Sequence, residues 1–234
     1  GASYSSIQTE FGGEIYIGLS SIWTELGNES RISNFPKVIG NTRGGRLGYS
    51  ASCKDDLNGD GVVDIAIGEP FGDGSVDAQG AVYLFSSDNL KTTMATDEAS
   101  TTLIGIEKND WLGWALSTGD MDGDGMPELL AGAPGANDST GKAYIWRGSD
   151  IRDAGTIRPR IRITGESEQD SFGRSVLLTD YNGDGYKDAV IGAPRHKSSQ
   201  SQASGYDAGI FYVFFGKQDF RDWAPLRSAA SADY

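Results

Sequence analysis

The 234-residue sequence predicts an all-β fold, a β-propeller of four-stranded antiparallel blades, of which about three and a half are present. Two observations lead to this prediction. An acidic, glycine-containing loop of nine residues occurs three times, with starts 64 and then 60 residues apart. Short apolar segments bounded by Gly or Pro flank every copy in the same order, as expected for the strands of a repeated unit.

The acidic loop is clearest in its second copy, which runs from Asp120 to Glu128. Its positions 1, 3, 5 and 9 are acidic, and the carbonyl of Met126 at position 7 is a further donor. Ca²⁺ binds six to eight oxygens from carboxylates, carbonyls and water, so a cation turns this crowding of charge into coordination. Glycines at positions 4 and 6 permit the left-handed backbone that folds the loop back on itself. The other copies, 56–64 and 180–188, repeat the pattern.

Four strand segments, named A to D in chain order, surround each loop. Strand A is expected at 47–51, 112–116 and 172–178; strand B at 64–68, 128–132 and 188–192; strand C at 80–85, 141–146 and 209–214; strand D at 101–105 and 160–165. Strand D is expected at the outer edge of its blade. A proline closes each strand B, at Pro70, Pro134 and Pro194.

We expect the chain to begin inside a blade, because 13–18 aligns with strand C and 36–40 aligns with strand D. The expected organisation is one propeller segment over 1–234. It comprises a partial blade (1–40), two blades (41–105 and 106–165) and a last blade (166–234) whose outer strand is unclear. Repeat units bury their faces only against neighbours. We therefore expect the rest of the propeller to come from a longer chain or from a partner chain.

Composition excludes several classes of function. The net charge of −13 offers no basic stripe for nucleic acid, and no apolar run is long enough to span a membrane. Cys53 is the sole cysteine and is expected to be a small buried hydrophobe. The sole histidine, His196, is expected to be a solvated loop residue, so no catalytic residue is assigned.

The motifs of the third copy resemble a known repeat. Phe172-Gly173, the loop starting at Asp180 and Gly192-Ala193-Pro194 together resemble the FG-GAP repeat of integrin alpha-subunit propellers. The propeller of glycosylphosphatidylinositol-specific phospholipase D carries similar repeats. The similarity extends from Gly1 to about Phe215, and it implies a ring of seven blades. The first copy departs from the pattern, with Leu47-Gly48 for Phe-Gly and Glu69 for Ala.

The resemblance also implies a Ca²⁺ ion in each A–B hairpin, about three in all. The implied ligands are Asp56, Asn58, Asp60, the Val62 carbonyl and Asp64; Asp120, Asp122, Asp124, the Met126 carbonyl and Glu128; Asp180, Asn182, Asp184, the Tyr186 carbonyl and Asp188. Two alternatives are open. An EF-hand also opens D-x-D-x-D-G, but it needs a Glu at position 12, where this chain has Ile67, Ala131 and Ile191. Acidic turns without metal are the other alternative.

Two functions are compatible with this pattern. One is a non-catalytic, calcium-stabilised module for extracellular protein or glycan binding and adhesion. The other is the accessory propeller of a larger secreted enzyme, such as a glycosylphosphatidylinositol-specific phospholipase D-like hydrolase. Sequons at Asn28 and Asn137 favour an extracellular or cell-surface chain.

A partner is expected on the face opposite the calcium loops, where the B–C loops 71–79, 135–140 and 195–208 vary most. The third of these loops carries Arg195, His196, Lys197 and Tyr206, and the neighbouring Asp110 and Trp111 are expected nearby.

Overall fold

The computed structural model describes residues 13–17, 36–72, 78–152, 155–197, 207–218 and 226–233. Their strands are β1 Glu14–Tyr16, β2 Lys37–Ile39, β3 Ser50–Ser52, β4 Asp64–Glu69, β5 Ala81–Ser86, β6 Thr93–Ala95, β7 Thr101–Ile104, β8 Ala115–Gly119, β9 Glu128–Ala133, β10 Lys142–Trp146, β11 Gly155–Ile157, β12 Ile161–Thr164, β13 Ser175–Thr179, β14 Asp188–Ala193, β15 Ile210–Phe214 and β16 Leu226–Ser228. Helical segments are single turns: α1 Ala136–Ser139, α2 Gly148–Ile151, and 3₁₀ turns at Ser87–Asn89, Thr96–Glu98 and Ala229–Ser231.

The strands form four sheets, ordered β1-β2-β6, β3-β4-β5-β7-β11, β8-β9-β10-β12-β16 and β13-β14-β15. Strands A to D of a repeat pair antiparallel in chain order; for example, β8 pairs with β9, β9 with β10 and β10 with β12. The all-β class and the partial propeller are therefore confirmed. Among the described residues, no helix is long and apolar enough to cross a membrane.

Strands B, C and D lie where the sequence predicts them, whereas strand A begins later. The prediction starts the second strand A at Leu112, but β8 begins at Ala115. Leu112 forms only an isolated bridge with Gly80, and Gly113 has a left-handed φ of 88°. These two residues belong to the turn that enters the strand, because a left-handed residue cannot continue a β-ladder.

Strand D is not the outer edge, contrary to the prediction. A fifth strand covers it and runs parallel to it: β6 on β2, β11 on β7 and β16 on β12. The fifth strands β6 and β11 come from the connection between strands C and D of the following repeat, and β16 comes after strand C of the third repeat. Consecutive repeats are therefore linked by backbone hydrogen bonds as well as by packing.

Apolar side chains of neighbouring sheets form the core. One cluster joins Val82 and Leu103 of the second sheet to Leu129 and Trp146 of the third. Glycines let the sheets approach closely. A Cβ added to Gly132 would lie 1.9 Å from the carbonyl oxygen of Gly173, in the turn that enters β13, a distance that excludes any other residue.

The outer face of the last sheet is exposed. Phe211 of β15 is 56% exposed and Leu177 of β13 is 51% exposed, whereas Ala143, in the position of Phe211 one repeat earlier, is fully buried. Cys53 is also exposed. Its predicted burial is wrong, because it follows the three-residue strand β3 and lies outside the sheet.

Candidate metal loops and the opposite face

The first residue of each acidic loop organises the loop backbone. In the second loop, Asp120 Oδ1 accepts the amide of Gly123 at 2.7 Å and Oδ2 accepts that of Gly125 at 3.0 Å. Asp56 and Asp180 accept the equivalent pairs of glycine amides. Gly123 and Gly125 have φ of 76° and 85°, the left-handed angles expected from the sequence. One carboxylate therefore holds the turn of the loop backbone through two amides.

Positions 3 and 5 turn their side chains into the same loop. Asp124 Oδ1 accepts the amide of Met126 at 2.7 Å, and Asp122 Oδ1 accepts that of Asp124 at 3.2 Å. In the other loops Asn58 and Asn182 replace Asp122 and also donate an amide N–H to the position-5 carboxylate at 2.9 Å. An asparagine at position 3 thus keeps one oxygen acceptor and lowers the loop's negative charge.

Position 9 is the first residue of strand B and is buried in all three copies. Glu128 Oε2 accepts the amide of Met121 at 2.8 Å, as Asp64 Oδ2 accepts that of Leu57 and Asp188 Oδ2 that of Tyr181, both at 2.8 Å. The extra methylene of Glu128 therefore leaves this anchoring contact unchanged.

Like charges converge in the second loop. Asp120, Asp122 and Asp124 each bring a carboxylate oxygen within 4.8 Å of the others. Burial, with the charges of these three carboxylates added, raises the pKa of Glu128 to about 8. Burial and the neighbouring Asp124 raise the pKa of Asp122. All of these donors are hard oxygens, and their repulsion is what a divalent cation would offset, so the residues fit Ca²⁺.

A buried carboxylate marks the opposite end of the strands in each repeat. Asp110 accepts the amides of Ile106 and Glu107 and, at 2.7 Å, the hydroxyl of Tyr144. Asp110 is fully buried, so its side chain holds the turn from below and does not itself reach the surface.

The first repeat achieves the same contact with different residues. Glu69 Oε2 accepts the hydroxyl of Tyr83 at 2.9 Å, and Gly45 stands where Asp110 stands in the second repeat. A Cβ on Gly45 would lie 2.1 Å from Glu69 Oε1. The departure from the GAP motif at Glu69 is therefore matched by the loss of a side chain at Gly45.

His196 is not a freely solvated loop residue, contrary to expectation. Its Nδ1 lies 2.8 Å from Oδ2 of Asp170, the third-repeat counterpart of Asp110, and only 18% of its side chain is exposed. The acidic partner is separated by 26 residues in sequence, so local composition gave no signal of it. Tyr206 and the rest of 198–206 lie outside the described residues.

Sequence reasoning also missed a cluster of aromatic rings at this end of the strands. Trp111 and Trp114 stack with centroids 5.7 Å apart, Tyr49 lies 4.4 Å from Trp114, and Phe71 lies 5.7 Å from Trp111. These residues come from two consecutive repeats, so only the repeat alignment could have placed them together.

Three stretches of the chain, residues 48–85, 112–146 and 172–214, match the FG-GAP repeat family. Each stretch contains one acidic loop and its flanking strands. The chain therefore carries three FG-GAP repeats and belongs to the FG-GAP repeat proteins.

The chain is similar to two kinds of characterised protein. It is 36% identical to integrin alpha-PS3 of Drosophila melanogaster over 58% of this chain and 12% of that protein. It is 30% identical to integrin alpha pat-2 of Caenorhabditis elegans over 74% of this chain and 14% of that protein. It is 28% identical to phosphatidylinositol-glycan-specific phospholipase D of Bos taurus over 93% of this chain and 26% of that protein. The chain thus spans at most about a quarter of these relatives.

Proposed function

We propose that this chain is a non-catalytic, Ca²⁺-stabilised propeller module that binds a protein or glycan partner outside cells or at the cell surface. The observation behind the metal proposal is the convergence of Asp120, Asp122 and Asp124 in a loop whose backbone Asp120 holds through two amides. The same loop pattern occurs in all three repeats, which supports about three ions. Bound Ca²⁺ would be held by the carboxylates and amide oxygens of positions 1, 3, 5 and 9 and the carbonyl of position 7.

Calorimetry tests the metal proposal directly. Titrating chelator-treated chain with Ca²⁺ should give about three sites, and Mg²⁺ should bind far more weakly because it demands a tighter octahedral shell. A chain that binds no Ca²⁺ at millimolar concentration, with an unchanged melting temperature, would refute the proposal.

The binding role is supported by the layout of the repeats. The metal loops occupy one end of the A–B hairpins, so the variable B–C loops and the aromatic cluster share the other end. Binding residues concentrate on loops that a rigid scaffold holds in place. Shortening 197–205 should weaken partner capture without lowering the melting temperature, whereas Asp122→Ala in the second metal loop should lower the melting temperature first.

The extracellular assignment rests on the metal loops and on Asn137, whose side chain is exposed within the sequon Asn137-Asp138-Ser139. Loops of this kind suit the millimolar Ca²⁺ found outside cells. Asn28, the other sequon, lies outside the described residues. Mass spectrometry of chain from a eukaryotic host should find glycan at Asn137, and full-length protein recovered from the cytosol would contradict the assignment.

The exposed Phe211 and Leu177 support a further blade packed on the last sheet, from a longer chain or a partner chain. Intact-mass analysis of the native protein distinguishes the two sources, because a longer chain has a larger mass and a partner chain has a mass of its own.

One observation favours the alternative of an accessory propeller in a larger secreted hydrolase. The bovine phospholipase D aligns over 93% of this chain, whereas the Drosophila integrin chain aligns over 58%. A hydrolase domain in the native polypeptide would support this alternative. A stalk, a membrane anchor or further sandwich domains would support the adhesion module.

A further inference from the structure

Four aromatic side chains form a partly exposed ridge on the end of the strands opposite the metal loops. We call Tyr49, Phe71, Trp111 and Trp114 the aromatic ridge. Trp114 directly precedes β8, whose other end leads to Asp120, and Phe71 follows β4, which starts at Asp64. None of the four rings is fully buried, and Tyr49 is 40% exposed. A contiguous apolar patch of this kind on a soluble protein marks an interaction site.

Two arginines lie on the ridge. Arg46 Cζ is 4.7 Å from the centroid of the Phe71 ring, and Arg174 Cζ is 4.2 Å from that of Trp114. Both arginines are exposed, and within the described part of the chain neither lies within salt-bridge distance of a carboxylate. A guanidinium stacked on a ring keeps its N–H donors at its edge, where they match a carboxylate. The ridge therefore offers cationic donors on a chain whose net charge is −13.

The turn that enters strand A is left-handed at the same position in every repeat. The φ is 60° at Arg46, 58° at Trp111 and 56° at Ser171. Large side chains rarely adopt such angles. Because Ser171 shares the angle, the turn itself requires it, and the turn holds Arg46 and Trp111 at fixed positions on the ridge.

The shape and charge of the ridge favour a peptide over a polysaccharide. Only Trp111 and Trp114 are near parallel, at 30°; the other ring pairs are tilted by 47° to 74°. Tilted rings form notches for aliphatic or aromatic side chains and not a flat platform for sugar rings. A long polyanion would be repelled by the net negative charge of the chain, whereas one or two carboxylates can pair locally with Arg46 and Arg174.

We propose that the aromatic ridge binds a short acidic peptide segment of a partner protein, with its carboxylates on Arg46 and Arg174 and its apolar side chains on Phe71 and Trp114. This inference rests on the proposed binding function and names the chemical class of the partner and the residues that contact it. The expected motif is Asp or Glu beside Leu, Ile, Phe or Trp.

A random-peptide phage library, selected on the immobilised chain in Ca²⁺, is the probe. The selected peptides should carry this motif. Synthetic copies with Gln in place of Glu should have a Kd at least about tenfold higher, which corresponds to a loss of about 1.4 kcal/mol in binding free energy. Arg46→Gln and Arg174→Gln should each weaken binding to a similar degree. Arg160→Gln removes the same charge from an exposed site just before β12 and should not.

Three results would overturn the proposal. The library could enrich basic or uncharged peptides, or both arginine variants could bind the selected peptides as wild type does. The third is that the chain captures acidic glycans on a glycan array but selects no peptide from the library. The melting temperatures of all variants, with and without Ca²⁺, keep this test separate from that of the proposed function. A chain that binds acidic peptides but ignores Ca²⁺ contradicts only the metal proposal. A chain that Ca²⁺ stabilises but that selects no acidic peptide contradicts only the inference about the ridge.

Discussion

Replacing Asp122 at position 3 of the second loop tests whether the loop binds a cation. The structure gives this residue two opposed roles. Burial, with the nearby charges of Asp124 and Asp120, raises the pKa of its carboxyl, and the carboxylate would be one of the ligands of a bound Ca²⁺. Asp122→Ala should therefore have little effect in chelator and a clear effect in Ca²⁺.

The magnitude follows from linkage. A ligand at tenfold its Kd stabilises the folded state by about 1.4 kcal/mol for each site. Sites of the extracellular kind have Kd of about 10⁻⁴ to 10⁻³ M, so free Ca²⁺ of about 1 mM reaches tenfold Kd at the tight end of this range. For a chain of this size, 1.4 kcal/mol corresponds to about 3–6 °C in melting temperature. Asp122→Ala should lose about that much in Ca²⁺. In chelator its melting temperature should stay within about 1 °C of wild type, because it also removes repulsion.

The other two repeats provide the control. Asn58 and Asn182 occupy position 3 of their loops and offer one oxygen each, so Asp122→Asn should keep most of the Ca²⁺-dependent shift. The assay is differential scanning calorimetry of wild type and both variants, in Ca²⁺ and in chelator. The reasoning fails if Asp122→Ala lowers the melting temperature equally in both buffers, or if Asp122→Asn behaves like Asp122→Ala.

Three further predictions concern the fold and its buried charges. Glu69→Ala should lower the free energy of unfolding by about 2 kcal/mol because it removes the carboxylate that accepts the Tyr83 hydroxyl. Adding Gly45→Asp should restore at least half of this loss, because the new carboxylate would stand where Asp110 stands in the second repeat. If denaturant titration finds the two changes additive, the two residues do not substitute for each other. Gly132→Ala should lower the free energy of unfolding by more than about 2 kcal/mol in the same titration, since its Cβ would lie 1.9 Å from the carbonyl oxygen of Gly173 in the next repeat. A neutral effect would show that the two repeats can move apart. Burial raises the pKa of Asp110, so the folded chain binds the proton of this carboxyl more tightly than the unfolded chain does. Wild type should therefore lose stability as pH rises from about 4 through the folded pKa, and the melting temperature of Asp110→Asn should rise relative to that of wild type over the same range. A difference in melting temperature between the two proteins that stays constant with pH would refute this assignment.

Features that depend on local spacing could be predicted from the sequence. Loop positions 1, 3, 5 and 9 recur with their glycines, and strand B follows position 9 immediately, so β4, β9 and β14 begin where expected. Asp120 folds its own loop through amides three and five residues away, which makes the loop a local structure. The ions themselves remain a prediction.

Features that depend on contacts between repeats could not be predicted. Glu69 looked like a simple departure from the motif, because its relation to Gly45 exists only when strand B lies beside the preceding turn. His196 looked solvated because Asp170 is distant in sequence. The fifth strands β6, β11 and β16 are three residues long, too short for any periodicity to show.

The donated fifth strand affects how the chain is made. Strand β7 ends at Ile104, but β11, which covers it, begins only at Gly155. A ribosome must therefore synthesise about fifty more residues, at about 5–20 residues per second, before this edge is closed. In that interval the newest sheet exposes an unpaired edge, which is open to pairing with another nascent chain. Folding and assembly should therefore proceed in one direction, each repeat closing the one before it.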